Sequence, residues 1–154
     1  MTTADFSDII SGIETSEGLR TLNILSGSLA QDRIVELNLS DNALGDRGIL
    51  ACQEYLARAQ SLERISFCVN GLSAEAMEMV ATSLLYRGAD VPTTLTKIHF
   101  SDNMSGRWAP ILLYHAIYGC PHLCRVALSF VTHTYIHTCA QTHSAAVALP
   151  WERF

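Results

Sequence analysis

Three stretches of the chain carry the same order of apolar and polar positions. Ile34, Leu37 and Leu39 lead to Asn42 and Leu44; Leu62, Ile65 and Phe67 lead to Asn70 and Leu72; Leu95, Ile98 and Phe100 lead to Asn103. In the third, Ser105 takes the last apolar place. A fourth begins with Leu123, Val126 and Leu128 and stops at Val131, where the asparagine belongs. Upstream, Phe6 matches the strand position of Phe67, with Ile9 in the asparagine slot. The anchors Phe6, Leu39, Phe67, Phe100 and Leu128 are spaced by 33, 28, 33 and 28 residues, the longer intervals holding five extra residues. A fixed period of this size is the mark of stacked supersecondary units.

Each unit has the same physical grammar. Alternation at period two predicts a short strand with one face turned inward, over about 35–39, 63–67, 96–100 and 124–128. The asparagine follows where the chain leaves the strand. Its amide both donates and accepts, so it can satisfy backbone groups that the stack would otherwise bury unpaired. A helical period comes next. Ile49, Cys52, Tyr55 and Leu56 share one face, entered through Gly45 and Gly48; Ala76, Met79, Val80 and Leu84 share another. In the third unit Pro110 suits a first helical turn ahead of Ile111, Leu112 and Ile117. "EGLRTLNILSGSLA" supplies a helix for the incomplete first unit. The expected fold is α/β: a leucine-rich repeat solenoid of about four repeats, with short parallel strands on a concave face and helices on the convex one.

Composition narrows the class. The 154 residues suffice for one domain with a core, and 49% hydrophobic against 16% charged residues argues against disorder. No apolar run approaches the ~20 residues of a membrane span, and "MTTADFSD" has no basic segment of the kind that opens a secretory signal. Five cysteines without paired spacing fit a reducing, cytoplasmic setting. A net charge of −5 argues against nucleic acid. Residues 1–98 hold 13 acids and 7 bases, whereas 131–154 hold only Glu152 and Arg153, and all six histidines lie from His99 onward. The repeat domain is therefore placed at 1–130. The Thr-, His- and Ala-rich segment 131–154 is expected to be a poorly ordered, non-repeat tail or a reading-frame artefact.

Four segments, "DFSDIISG", "LNLSDNALGDRG", "NGLSAEA" and "HFSDNMSG", occur in an order and spacing that resembles the Ran GTPase-activating protein family, over roughly residues 4–130. The first is the most specific, because the repeat consensus does not generate it. The resemblance implies a protein that binds the small GTPase Ran and accelerates GTP hydrolysis during nucleocytoplasmic transport, in the cytoplasm or at the nuclear envelope. It implies an enzyme regulator that needs no cofactor and has no substrate pocket of its own. In that family the activator holds Ran's own glutamine so that it orients the attacking water, a positioning effect. The asparagine that does this directly precedes the ladder asparagine of the unit corresponding to Asn70, and Val69 stands there. An arginine directly follows the "FSDIISG" segment in the family, and Ile13 stands there. With these departures and without the family's acidic C-terminal segment, three readings stay open. They are a weak or inactive activator, a non-catalytic leucine-rich repeat binding module, and a truncated fragment. A one-residue shift that hands the role to Asn70 conflicts with its place in the ladder.

Other candidates carry less. Asp8, Asp41 and Asp102, just after successive strands, and Asn70 are the expected partner-facing residues; Asn42, Asn70 and Asn103 form the expected structural ladder. His133, His137, Cys139 and His143 have the donor types of a zinc site but not its paired spacing, so no metal is assigned. Cys120 and Cys124 read as packing residues. Ser26 and Ser28 beside Gly27 fit no nucleophile elbow, and no Gly-Lys phosphate cradle is present.

Overall fold

The apolar alternation emerges as the strands of one sheet. A computed structural model describes residues 2–85, 94–104, 125–129 and 134–138, the last two segments as backbone. In chain order the elements are β1 (Thr2–Asp5), α1 (Thr15–Ser28), β2 (Ile34–Asn38), α2 (Gly45–Arg58), β3 (Arg64–Ser66), α3 (Ala74–Leu85), β4 (Lys97–His99), β5 (Arg125–Ser129) and β6 (Thr134–Thr138). The sheet runs β1-β2-β3-β4-β5-β6. Strands β1 to β5 pair parallel, and β6 pairs antiparallel with β5.

Sequence neighbours are therefore spatial neighbours, and each crossover between parallel strands passes through a helix where one is described. The register keeps equivalent positions in line: Leu37, Ile65, Ile98 and Leu128 are Cα partners in turn. Leu37, Leu39, Ile65, Phe67, Ile98 and Phe100 are buried on one face of the sheet. They join Leu22 from α1, Ile49, Cys52 and Leu56 from α2, and Met77, Val80 and Leu84 from α3 in one core. Met77, fully buried, widens the α3 stripe beyond the face read from Ala76, Val80 and Leu84. Phe67 and Phe100 stack with ring centroids 5.8 Å apart and planes within 13°, so the ring column follows the strand register. Burial pushes the Cys52 thiol up to about 12, which leaves it a packing group rather than a nucleophile.

Each helix starts in its own way. The Glu14 side chain accepts from the Glu17 amide at 3.3 Å to cap α1. Ser73 accepts from the Ala76 amide at 3.1 Å at the start of α3, and its own amide donates to Asp46 Oδ1 of α2. In α2, Gly48 is required by a close approach: a Cβ there would lie 2.5 Å from Leu44 Cβ. Ser26 and Ser28 turn their hydroxyls back onto the Asn23 and Leu25 carbonyls of α1, as helix-interior serines commonly do.

The asparagines bind the coils to one another. Asn42 Oδ1 accepts from the Ile9 and Ile10 amides at 2.9 and 3.1 Å, and its Nδ2 donates to the Phe6, Leu39 and Ser40 carbonyls. Asn70 Oδ1 accepts from the Asn42 amide at 2.9 Å, and Nδ2 donates to the Leu39 carbonyl at 2.8 Å. Asn103 repeats the arrangement one coil further, accepting from the Asn70 and Leu72 amides at 3.0 Å and donating to the Phe67 carbonyl. Each amide thus ties its own turn to the preceding one. Ile9 donates only its backbone amide.

Strand β6 lies inside 131–154, where the sequence reading placed no element. The parallel repeat grammar says nothing about a hairpin strand, which needs only a short segment of β-forming residues such as "TYIHT" beside a free sheet edge. The strands also sit within a residue or two of their expected bounds, β3 and β4 being three residues each. The helix expected after Pro110, and His133, Cys139, His143, Cys120 and Cys124, lie outside the described residues.

Removing one amide from the ladder strands the Asn42 N–H inside the stack. We expect Asn70→Ala to lower unfolding free energy in urea by about 2–3 kcal/mol, the cost of an unsatisfied buried donor plus lost packing. A loss below about 0.5 kcal/mol would show that the amide is dispensable to the stack.

Candidate functional site

The loops that leave the strands converge at one edge of the sheet, and one backbone geometry repeats there. Asp8, Asp41, Val69 and Asp102, each directly before the asparagine slot, have φ of 54, 61, 54 and 57°. These are left-handed conformations. Their amides form a second ladder: Asp8 N donates to the Ser40 carbonyl at 3.2 Å, Asp41 N to Cys68 at 2.9 Å, and Val69 N to Ser101 at 3.0 Å. The left-handed turn aims each amide at the next coil while the following asparagine turns inward, so the side chain before it points out. All four are exposed.

Asp tolerates this conformation better than most residues, and a β-branched side chain tolerates it poorly. Val69 is therefore the strained member of the column, 48% exposed, with no burial to offset the strain. Gly71 follows at φ 66°, and a Cβ there would approach Met104 Sδ at 3.8 Å; Met104 itself is 81% exposed. Val69, Gly71 and Met104 make a small apolar spot between Asp41 and Asp102. Ile13, 42% exposed, lies in the β1–α1 loop, its amide donating to the Ile10 carbonyl at 3.3 Å. The β2–α2 coil separates that loop from the one holding Val69. Asn70 is only 1% exposed: its place is within the stack, not on a partner-facing surface.

Sequence reasoning passed over Met104 and the other face of the sheet. On that face Glu36, Arg64 and Lys97 form one row in register, and Asn38, Ser66 and His99 the next. Arg64 bonds Glu36 and Glu63, each at 3.2 Å. Asp5 accepts from the Ser7 hydroxyl and amide, which hold its carboxyl below the ordinary value. Partial burial and the Lys97 ammonium hold the His99 imidazole below its usual range, with Glu36 opposing them. The signal was present in the alternate strand positions "ELN", "RIS" and "KIH", which were read only for their apolar members.

No protein-family model matches the chain. Two curated proteins of Arabidopsis thaliana do. Ran GTPase-activating protein 1 is 37% identical over 65 residues, and Ran GTPase-activating protein 2 is 41% identical over 61. Part of this chain is similar to plant Ran GTPase activators. The similarity covers 42% and 40% of the chain, and the matched segments span only 12% and 11% of those proteins. Among solved structures, a tropomodulin C-terminal domain from Caenorhabditis elegans superposes with a TM-score of 0.61 at 17% identity, over 86% of this chain and 75% of that one. Leiomodin-1 actin-binding site 2 gives 0.62 at 14%, over 84% and 70%. At such identities these two share the fold alone. No helix among the described residues is long and apolar enough to cross a membrane.

Two outcomes follow from this geometry. Val69→Asp and Val69→Asn should each raise stability by about 1 kcal/mol through relief of the left-handed strain, read as a higher urea midpoint; a fall in both would place the strain elsewhere. For His99, the unfolded chain holds more protons than the folded one between the lowered folded value and the ordinary value, so stability rises with pH through that window. Wild type should lose more thermal stability than His99→Gln between about pH 7.5 and about pH 5.5. Equal losses would remove His99 from the linkage.

Proposed function

We propose that the chain is a partial leucine-rich repeat solenoid of the Ran GTPase-activator type, which meets Ran through the strand-to-helix loop edge. The observation that carries this reading is the 37–41% identity to two Ran GTPase-activating proteins. The column of exposed Asp8, Asp41, Val69 and Asp102 gives that identity a surface. Carboxylates held outward by fixed backbone turns suit a partner with basic residues, since their orientation costs no further ordering on binding.

On this reading the chain stimulates hydrolysis weakly. A positioning amide acts mainly in the transition state, so its absence lowers rate more than affinity. Valine at position 69 offers neither donor nor acceptor to Ran's glutamine, and Ile13 offers no charge. Val69 also favours the second reading, a binding module that keeps the scaffold without activation. The proposed setting is the cytoplasm, where such an activator resets Ran.

The test is single-turnover GTP hydrolysis by Ran at saturating chain, with binding measured in parallel. Wild type should stimulate poorly; Val69→Asn should raise the stimulated rate at least ~10-fold, part of the ~10²–10³ that one positioning hydrogen bond can carry. Val69→Asp relieves the same backbone strain but donates no hydrogen bond, so it should gain little. Ile13→Arg should add less than Val69→Asn. Full stimulation by wild type, or no gain from Val69→Asn with binding intact, would remove the mechanism from this residue. Absence of Ran binding would overturn the reading itself.

A further inference from the structure

Asn70 is followed by Gly71, whereas Asn23, Asn38, Asn42 and Asn103 all precede bulkier residues. The fold has its own reason for that glycine. The residue after the ladder asparagine turns at φ 66° in this coil and at φ 49° in the preceding one, where Ala43 stands. Glycine adopts such a conformation without strain. The same choice carries a chemical liability, because asparagine is a thermolabile residue. With no Cβ, Gly71 leaves its backbone nitrogen unshielded, beside a side-chain amide carbon that it can attack to close a small ring.

In the folded chain that ring cannot close. Asn70 is 1% exposed. Its Oδ1 accepts from the Asn42 amide at 2.9 Å and its Nδ2 donates to the Leu39 carbonyl at 2.8 Å, so the side chain is held toward the preceding coil. The backbone around it is held as well. The Asn70 and Leu72 amides both donate to Asn103 Oδ1 at 3.0 Å, and the Asn70 carbonyl accepts from the Gly45 amide at 2.9 Å. Bringing Cγ onto the Gly71 nitrogen requires rotating both side chain and backbone out of these bonds, which parts the coil from its neighbours on either side.

We propose that Asn70 is a deamidation site that the asparagine ladder keeps closed and that unfolding opens. In the open chain the Gly71 nitrogen gives up its proton and bonds to Asn70 Cγ. The Cγ–Nδ2 bond breaks, and ammonia leaves carrying that proton. Water then opens the succinimide at one or the other carbonyl, giving aspartate or isoaspartate; nothing is oxidised or reduced. Neither product rebuilds the ladder. Aspartate at this position keeps an acceptor for the Asn42 amide, but it sets a second acceptor against the Leu39 carbonyl and buries a charge. Isoaspartate adds a methylene to the main chain between Val69 and Gly71 and moves the turn out of register. Time spent unfolded is thereby recorded in the chain, and a coil left open too long does not close again as before. The inference stands whether or not the rim engages Ran.

To test this, the full chain is held at mildly alkaline pH, folded in buffer or unfolded in guanidinium chloride, and followed by peptide-mapping mass spectrometry. The unfolded chain should show the mass gain of deamidation at Asn70 ahead of every other asparagine. The folded chain should show it more than ~10-fold more slowly, as a site reached only through opening requires. Gly71→Ala, compared in guanidinium chloride where its folding is immaterial, should slow the reaction more than ~10-fold. Ile49→Ala removes a fully buried side chain of α2 that does not touch the reacting atoms. By raising the open population it should speed modification in buffer toward the unfolded rate. Asn70→Asp, standing in for the product, should unfold at lower guanidinium concentration than wild type at neutral pH. It should recover part of the difference in mild acid, where a protonated carboxyl can again donate to Leu39. A folded chain modified as fast as the unfolded one, no preference for Asn70 when unfolded, no slowing by Gly71→Ala, or no acceleration by Ile49→Ala would each overturn the proposal. Equal midpoints for Asn70→Asp and wild type at neutral pH would overturn its consequence for the ladder.

Discussion

A primary amide buried at a turn holds this molecule in order. Each coil leaves its strand with backbone amides and carbonyls facing the next coil, out of reach of water. Asn42, Asn70 and Asn103 answer them with a side chain that accepts at one end and donates at the other. No apolar residue could do so, and a carboxylate would bring a buried charge without the donor. Because every amide accepts from backbone of the coil before it, the ladder fixes register as well as satisfying polar groups. The aromatic stack of Phe67 on Phe100 and the column Leu37, Ile65, Ile98 follow from that register.

Most of this was legible in the chain itself. Period-two alternation, closed by an asparagine in three of the four units, located four of the strands within a residue or two. The helical stripe of α2 matched Ile49, Cys52, Tyr55 and Leu56, since burial follows the 3.6-residue period closely when a helix lies flat on a sheet. What escaped had a common cause. Strand β6 and the left-handed column are local features whose signals are short: five residues of "TYIHT", or one residue ahead of an asparagine. Asp8, Asp41 and Asp102 were singled out as partner-facing acids, but the shared backbone angle that makes them a set is not written in the sequence.

Val69 shows how sequence and backbone speak to different questions. The family resemblance implies an amide at this position, and the chain has none there. Backbone geometry marks it as a β-branched residue at φ 54°, where an aspartate stands in the three other members of the column. One side chain is thus both chemically silent and conformationally costly. The two properties separate under substitution, because aspartate relieves the strain without restoring the amide. Beside it, Met104 and Gly71 make this stretch of the edge apolar while the coils on either side are acidic.

The left-handed column has an evolutionary consequence. A turn that requires positive φ admits aspartate, asparagine and glycine ahead of other residues. Folding alone therefore deposits small polar or acidic side chains along the rim, before any partner exercises selection. A negatively charged edge can arise as a by-product of backbone geometry and be recruited for recognition afterwards. Acidity at such a rim is then weak testimony to a ligand, whereas a valine held there against the backbone's preference is the more informative residue.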